Sequence, residues 1–234
     1  MESNKEKDSI GDKIGDFVQK NRKGIFVTLG AIVLLLVGLI AYFSISDSLN
    51  KKATAEITDL TEEYEKLSYG ENADFNSADM NALLAKLEDF AGKNKGYPGS
   101  KAWSIIANIY FEKQDLARSE EAWLDCARVG EKTYLGPIAL FQAAVAAEEQ
   151  NKPETAIEYL KQCISHSFEF SDAPRAQFNI GRLYEQLGNF PEALDAYRAV
   201  LINFPWESST LISQNMYVWQ NLARNQIIKL ELRR

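Results

Sequence analysis

Apolar and polar positions along residues 100–207 repeat with a period of 37 residues. The repeating units start near Ser100, Pro137 and Pro174, and corresponding residues keep the same spacing in both steps. Each unit holds two stretches of about thirteen residues with apolar side chains at helical spacing, separated by a short polar turn. The pattern predicts three helical hairpins, which are expected to stack because none can bury its apolar faces alone.

Small residues recur where the two helices of each hairpin are expected to cross. They are Ala107, Ala144 and Gly181 on the first helices, and Ser119, Ala156 and Ala193 on the second helices. The turns are predicted at residues 112–115, 150–153 and 187–191. A glycine pair such as Gly181 and Gly188 can also form a phosphate-binding loop, but Gly181 lies inside a predicted helix with no strand before it. We therefore expect Gly181 to permit close helix approach and Gly188 to end its helix with a left-handed residue.

The unit at residues 174–207 resembles a tetratricopeptide repeat (TPR). It matches that pattern at Gly181, Tyr184, Gly188, Ala193, Tyr197 and Pro205. Segment 100–133 matches at Trp103, Ala107, Tyr110 and Trp123, whereas segment 137–170 is degenerate, with Ala147 for the tyrosine and Asn151 for the turn glycine. The resemblance implies an all-α solenoid of three TPR-like helical hairpins, whose first helices line a concave face.

Helical patterns also flank the repeats. Residues 46–99 predict a membrane-proximal hairpin of helices 47–68 and 78–91, with polar loops at 69–76 and 92–99. Residues 208–234 predict a C-terminal capping helix that covers the last repeat. The apolar face of this capping helix is expected to contain Leu211, Ile212, Met216, Trp219, Leu222 and Ile227.

Residues 25–45 contain no charged side chain. About twenty apolar residues suffice to cross the hydrocarbon layer of a bilayer as a helix, so this segment predicts one transmembrane helix in contact with lipid. A cleaved signal peptide is the alternative, with residues 44–46 as a weak cleavage site. We favour a retained anchor, because the apolar stretch is longer than a signal peptide needs.

The charges beside the apolar segment predict its orientation. Lys20, Arg22 and Lys23 precede it, and basic residues tend to stay in the cytoplasm, so the N-terminus is expected inside. Residues 1–24 hold six basic and five acidic residues and predict a disordered cytoplasmic tail. Subtracting these from 26 basic and 33 acidic residues leaves 20 basic and 28 acidic residues in 46–234, a net charge of −8. This acidic balance argues against nucleic acid as a partner.

Candidate chemistry is sparse. Two cysteines and one histidine do not provide the four close ligands of a zinc site, and no cofactor motif or nucleophile–base set occurs. His166 lacks a partner set, and the acidic pairs Glu120–Glu121 and Glu148–Glu149 are interpreted as solvated helix faces. Cys126 and Cys163 are expected to be small buried side chains, with a disulfide as the alternative. We predict no enzyme activity, no metal and no cofactor.

The repeat register predicts a peptide- or partner-binding groove on the first helices. The candidate groove residues are Asn108, Phe111, Phe141, Val145, Arg175, Phe178 and Arg182. Phe141, Val145 and Phe178 would form an apolar strip, and Asn108, Arg175 and Arg182 would supply polar contacts. The alternative is that the C-terminal helix or the N-terminal hairpin fills this groove as part of the core.

The order of short tail, single span and exported repeats resembles the YfgM-like group of bacterial inner-membrane proteins. That resemblance implies a periplasmic interaction module, an accessory in envelope protein export or chaperoning. The implied partners are Sec translocon components, periplasmic chaperones or unfolded clients. Two alternatives remain, a scaffold subunit of a fixed envelope assembly and a regulatory membrane anchor that acts through its cytoplasmic tail.

Overall fold

The computed structural model describes residues 10–69, 73–166, 171–204 and 211–232. Within these ranges the chain forms nine α-helices and no β-strand. The helices are α1 (Ile10–Ser68), α2 (Ala78–Lys93), α3 (Gly96–Glu112), α4 (Leu116–Val129), α5 (Leu135–Glu149), α6 (Pro153–His166), α7 (Ala173–Gln186), α8 (Phe190–Asn203) and α9 (Leu211–Glu231). The predicted all-α class is confirmed.

Helix α1 includes the charge-free segment 25–45. By length and composition it is apolar enough to cross a membrane, and its large apolar side chains are exposed, as Leu34 is at 74%. The helix begins at Ile10, so the disorder expected for residues 1–24 is wrong for the described part of that tail. Residues 1–9 lie outside the described residues.

The chain divides into two compact units, Met1–Lys52 and Ala53–Arg234. In the second unit each helix from α2 to α8 packs against the helix that follows it. Helix α3 also contacts α5, and α7 contacts α9. The pairs α3–α4, α5–α6 and α7–α8 are therefore three stacked hairpins, which confirms the helical-hairpin solenoid.

Close helix contact within each hairpin depends on the small residues at the crossing positions. All six of them are buried. In the first hairpin the Ser119 hydroxyl donates to the Ala107 carbonyl at 2.9 Å. In the third, a Cβ atom built on Gly181 would lie 2.6 Å from Cε1 of Tyr197, so only glycine fits beside this ring. The predicted packing role of Gly181 is confirmed.

The two cysteines occupy equivalent places in consecutive hairpins. The Cys126 thiol donates to the Ser100 carbonyl and the Cys163 thiol to the Pro137 carbonyl, both at 3.2 Å. Both thiols are free and buried, so the disulfide alternative is wrong. Burial raises the pKa of Cys126 to about 11 and that of Cys163 to about 12, which keeps both thiols protonated and unreactive near neutral pH.

All three hairpin turns use one backbone geometry. Gln114, Asn151 and Gly188 stand 37 residues apart, and their φ angles are 62°, 59° and 76°. The amide after each of them closes the turn on the carbonyl five residues earlier, at 2.9, 3.0 and 2.8 Å respectively. The left-handed conformation favours glycine, and asparagine adopts it more readily than glutamine does. The first hairpin therefore carries the most strained turn.

Replacing Gln114 by glycine is expected to stabilise the protein by about 1 kcal/mol, because the left-handed conformation costs a side chain roughly that much. Thermal unfolding followed by tryptophan fluorescence would then shift upward by about 2–4 °C. The matched change Asn151→Gly should give a smaller gain. A larger gain from Asn151→Gly than from Gln114→Gly would contradict this account of the turn.

The segment before the repeats differs in one place from its prediction. Ile57 and Leu60 of α1 join the same core as Met80 of α2, and Lys86 pairs with Glu63 at 2.8 Å. The loop predicted at residues 92–99 is wrong, because α3 already begins at Gly96. Gly96 has a φ of 63°, so the chain can turn directly from α2 into α3. Pro98 lies in the first turn of α3, where the missing amide hydrogen loses no helical hydrogen bond.

Helix α9 closes the C-terminal end of the repeats. Ala223 and Leu230 are buried in a core cluster with Tyr197, and the Gln220 amide donates to the Phe204 carbonyl at 2.7 Å. Leu222 was expected on this buried face, but its side chain is 40% exposed. The predicted face is therefore wrong at this position, and the side chains of Leu211 and Ile212 lie outside the description.

Candidate partner-binding groove

The seven candidate residues lie on the first helices of the three hairpins. Asn108 and Phe111 are on α3, Phe141 and Val145 on α5, and Arg175, Phe178 and Arg182 on α7. Asn108, Phe111, Val145 and Arg182 are half-buried, Arg175 is exposed, and both Phe141 and Phe178 are buried. Four of these residues lie together on α5 and α7, Phe178 is covered by α9, and Asn108 and Phe111 lie on α3.

Two contacts connect α5 with α7. The Arg175 guanidinium lies 4.8 Å from the centre of the Phe141 ring, which is a cation–π contact. Arg182 donates from Nη1 and Nη2 to the two carboxylate oxygens of Glu148 at 2.7 and 2.5 Å. This bidentate pair raises the pKa of Arg182, while partial burial acts in the opposite direction.

Val145 lies between these two contacts. Phe141, Val145 and Glu148 follow one another at helical spacing, so they share one face of α5. We call Phe141, Val145, Glu148, Arg175 and Arg182 the α5–α7 surface. Its accessible parts are the half-buried Val145, the exposed Arg175 guanidinium and an ion pair whose side chains are 42% and 30% exposed, while the Phe141 ring is buried beneath Arg175. Glu148 was not among the seven candidate groove residues, and its bidentate contact with Arg182 brings it into this surface.

Phe178 is a core residue. Its side chain is 8% exposed, and its ring centre lies 5.2 Å from that of Tyr197 and 5.4 Å from that of Trp219. Helix α9 therefore covers the position where Phe178 was expected to extend the apolar strip of the groove. At this end the alternative prediction holds, since the C-terminal helix completes the core.

The opposite end of the candidate groove lies close to the chain's own α1. Tyr64 of α1 is half-buried against the core, and burial together with the nearby Glu112 carboxylate of α3 raises the pKa of its hydroxyl. Glu112 ends the helix that carries Asn108 and Phe111. Asn108 and Phe111 are half-buried on this helix, as Val145 and Arg182 are on α5 and α7.

Glu120 is a buried carboxylate that sequence reasoning placed on a solvated face. Its oxygens accept hydrogen bonds from Gln150 at 2.7 Å, Lys152 at 3.2 Å and Tyr159 at 2.8 Å. Burial and this carboxylate raise the pKa of Tyr159 to about 12. Glu121 is exposed, so the two acids do not form a dyad. The cluster joins α4 to the α5–α6 hairpin and satisfies a charge that burial would otherwise disfavour.

The potential metal-binding side chains of the described residues are not clustered. No group of three or more histidine, cysteine, aspartate or glutamate side chains is placed there to hold a metal ion. His166 lies exposed in the last turn of α6.

Residues 141–205 match the sequence model of the tetratricopeptide repeat family. The solenoid is built of TPR-like repeats. The match covers most of the second and third hairpins, including the α5–α7 surface. The chain is also similar to a TPR repeat-containing protein of Treponema pallidum (strain Nichols), with 28% identity over 211 residues, 82% of this chain and 87% of that protein. The TPR is a non-catalytic interaction fold, and TPR domains generally bind other proteins.

Proposed function

We propose that this protein is a membrane-anchored interaction module whose TPR-like repeats bind a protein partner through the α5–α7 surface. The observation that carries the proposal is the exposed Arg175 guanidinium held over Phe141 beside the half-buried Val145. Arginine and apolar side chains that lie together in a rigid surface are typical of binding hot spots. Because both helices are fixed by the hairpins, the surface needs little ordering when a partner docks.

We further propose a bacterial inner-membrane location with the N-terminus in the cytoplasm and the repeats in the periplasm. The supports are the apolar helix α1, the basic residues Lys20, Arg22 and Lys23 before its charge-free segment, and the relative in a bacterium. Anchoring would raise the local concentration of the module near membrane-bound partners. At this location the protein would assist envelope protein export or chaperoning. Its partners would be translocon components, periplasmic chaperones or unfolded clients.

Photocrosslinking in intact membranes tests the binding surface. A photoreactive residue at Arg175 or Val145 is expected to capture a partner, whereas one at the exposed Glu158 of α6 should not. Equal capture from all three positions, or none from the first two, would overturn the proposed surface. Protection of the repeats from protease added to spheroplasts would overturn the orientation.

The pattern of captured proteins separates the candidate functions. Many different clients support a chaperoning accessory, and one partner at a fixed ratio supports a scaffold subunit. Deleting residues 1–19, which keeps Lys20, Arg22 and Lys23 before the apolar segment, should leave capture unchanged in both cases. A loss of function with intact capture would favour the regulatory anchor instead.

Reversing the charge of Arg175 should weaken the partner complex while leaving the fold intact. Arg175→Glu places a carboxylate over Phe141 and removes the cation–π contact, so we expect capture at Val145 to fall about tenfold. Because the side chain is exposed, the midpoint of thermal unfolding should move by less than about 2 °C. The matched variant Glu121→Lys on α4 should change neither quantity. Unchanged capture by Arg175→Glu would remove Arg175 from the site.

A further inference from the structure

Helix α1 begins at Ile10, several turns before its charge-free segment. In this first part the side chains of Ile14, Phe17 and Val18 are 59%, 64% and 47% exposed. Because they stand three and four residues apart, they lie on one face of the helix, within an arc of about 100°. We call residues 14–24 the juxtamembrane segment and these three side chains its apolar stripe.

Basic and polar side chains surround the apolar stripe. Lys20 and Arg22 are exposed and lie on its two sides, each about 100° from its centre. Gln19 and Lys23 are also exposed, and they lie on the opposite face of the helix. An apolar stripe bordered by cations is typical of a helix that lies in the interface of an anionic membrane.

An upright helix would leave the apolar stripe in water. Ile14 stands eleven residues before the charge-free segment, which is about 16 Å along the helix axis. The headgroup layer on each side of a bilayer is only about 5–8 Å deep. Sliding the helix deeper would carry Lys20, Arg22 and Lys23 into the hydrocarbon, where charges are costly. A helix that lies along the surface places both the stripe and the cations favourably.

The junction between the juxtamembrane segment and the charge-free segment is suited to a bend. Gly24 stands at this junction, and glycine weakens a helix. The Thr28 hydroxyl donates to the Gly24 carbonyl at 2.9 Å, and bonds of this kind often bend helices. Asn21, the polar residue within the arc of the stripe, donates from Nδ2 to the Phe17 carbonyl at 2.9 Å, so its amide has a partner within the helix.

We propose that the juxtamembrane segment lies along the bilayer surface and binds anionic lipid, with its apolar stripe at the acyl boundary and Lys20 and Arg22 at the headgroups. This inference rests on the membrane anchoring in the proposed function, because the charge-free segment continues directly from this helix and holds it at the bilayer. The anionic lipid content of the membrane would then control where the first part of α1 lies, independently of the α5–α7 surface.

Spin labels on single cysteines of the full chain in vesicles measure which side chains contact lipid. In equimolar phosphatidylglycerol and phosphatidylcholine, labels at the three stripe positions should contact oxygen dissolved in the bilayer, all at one depth. Labels at Gln19 and Lys23 should contact a water-soluble nickel reagent instead. An upright helix would give depths that change by about 1.5 Å per residue, and this result would overturn the proposal. The native Cys126 and Cys163 are buried, and the wild-type chain treated with the label gives the blank.

A matched pair of charge changes tests the apolar stripe. Phe17→Glu should lower the oxygen accessibility of a label at Val18 about threefold, because it places a carboxylate at the acyl boundary. Gln19→Glu adds the same charge on the opposite face and should leave this accessibility unchanged. In phosphatidylcholine alone the accessibility should fall about twofold, because the cations lose the anionic headgroups. Equal effects of the two variants, or equal accessibility in the two lipids, would overturn the proposal.

A label at Leu34, near the middle of the charge-free segment, separates failure of this inference from failure of the anchoring. This label should contact oxygen and not the nickel reagent in both lipids. Leu34 in lipid with the stripe in water would overturn the surface helix alone, whereas Leu34 in water would overturn the anchoring as well. Stripe labels that are in water in vesicles but shielded in native membranes would assign the stripe to a protein partner and overturn lipid binding.

Discussion

Replacing Gly181 by alanine is expected to lower the free energy of unfolding by about 1–3 kcal/mol, the usual cost of overpacking a close-packed core. The added Cβ would lie 2.6 Å from Cε1, 2.7 Å from Cδ1 and 2.9 Å from Cζ of Tyr197. This ring cannot easily move aside, because it is fully buried and its hydroxyl donates to Glu185 at 2.6 Å. Helices α7 and α8 would have to separate, and the loss is measurable as a lower denaturation midpoint.

Gly92→Ala is the matched control for this prediction. Gly92 also lies in a helix, but it is exposed and a Cβ on it meets no atom within 4 Å. Alanine should stabilise that helix by about 0.5–1 kcal/mol, because it is less flexible than glycine in the unfolded chain. If Gly181→Ala stabilised the protein as much as Gly92→Ala does, the close approach of α7 and Tyr197 would be refuted.

The sequence predicts the hairpins well because their packing repeats. Gly181 and Tyr197 are recognisable in the unit at residues 174–207. The spacing of 37 residues then locates Ala107, Ala144 and the turn residues of the two less typical units. The turn that contains Gln114 is an example, since the repeat spacing places it at residues 112–115, although the left-handed conformation was predicted only for Gly188. Local propensity alone would have missed it.

Contacts outside the repeat register are the ones that the sequence leaves unresolved. Glu120 looks like part of an exposed acidic pair until Gln150, Lys152 and Tyr159 are brought to it from thirty or more residues away. Leu222 fits an apolar helical pattern, but that pattern does not state which of two faces packs inward. Such features depend on which helices become neighbours, and only the assembled solenoid determines that.

The candidate groove contains both residues that the repeat spacing locates and a contact that it does not reveal. The register correctly groups Phe141, Val145, Arg175 and Arg182 on neighbouring first helices, because equivalent positions of stacked hairpins lie side by side. It does not reveal that α9 lies over Phe178, since α9 belongs to no repeat. Both aromatic positions of the predicted strip are therefore buried, Phe141 beneath the Arg175 guanidinium and Phe178 beneath α9.

Replacing Phe178 by alanine is expected to destabilise the protein by about 3–5 kcal/mol, the usual cost of removing a buried phenylalanine. The ring packs against Tyr197 and Trp219, and these contacts connect α7 to α8 and α9. The thermal midpoint should fall by about 6 °C or more. Amide hydrogens of α9 should exchange faster, because this helix loses its anchor, while those of α3 and α4 should change little.

Phe111→Ala is the matched comparison, since Phe111 is also an aromatic residue of the predicted groove but is half-buried on α3. Removing it leaves a smaller cavity, so the loss of stability should be about half that of Phe178→Ala, and α9 should remain protected. A Phe178→Ala variant with an unchanged midpoint and with reduced partner capture would assign Phe178 to binding. The expected outcome is the reverse, because a side chain enclosed by Tyr197 and Trp219 stabilises the solenoid and cannot contact a partner directly.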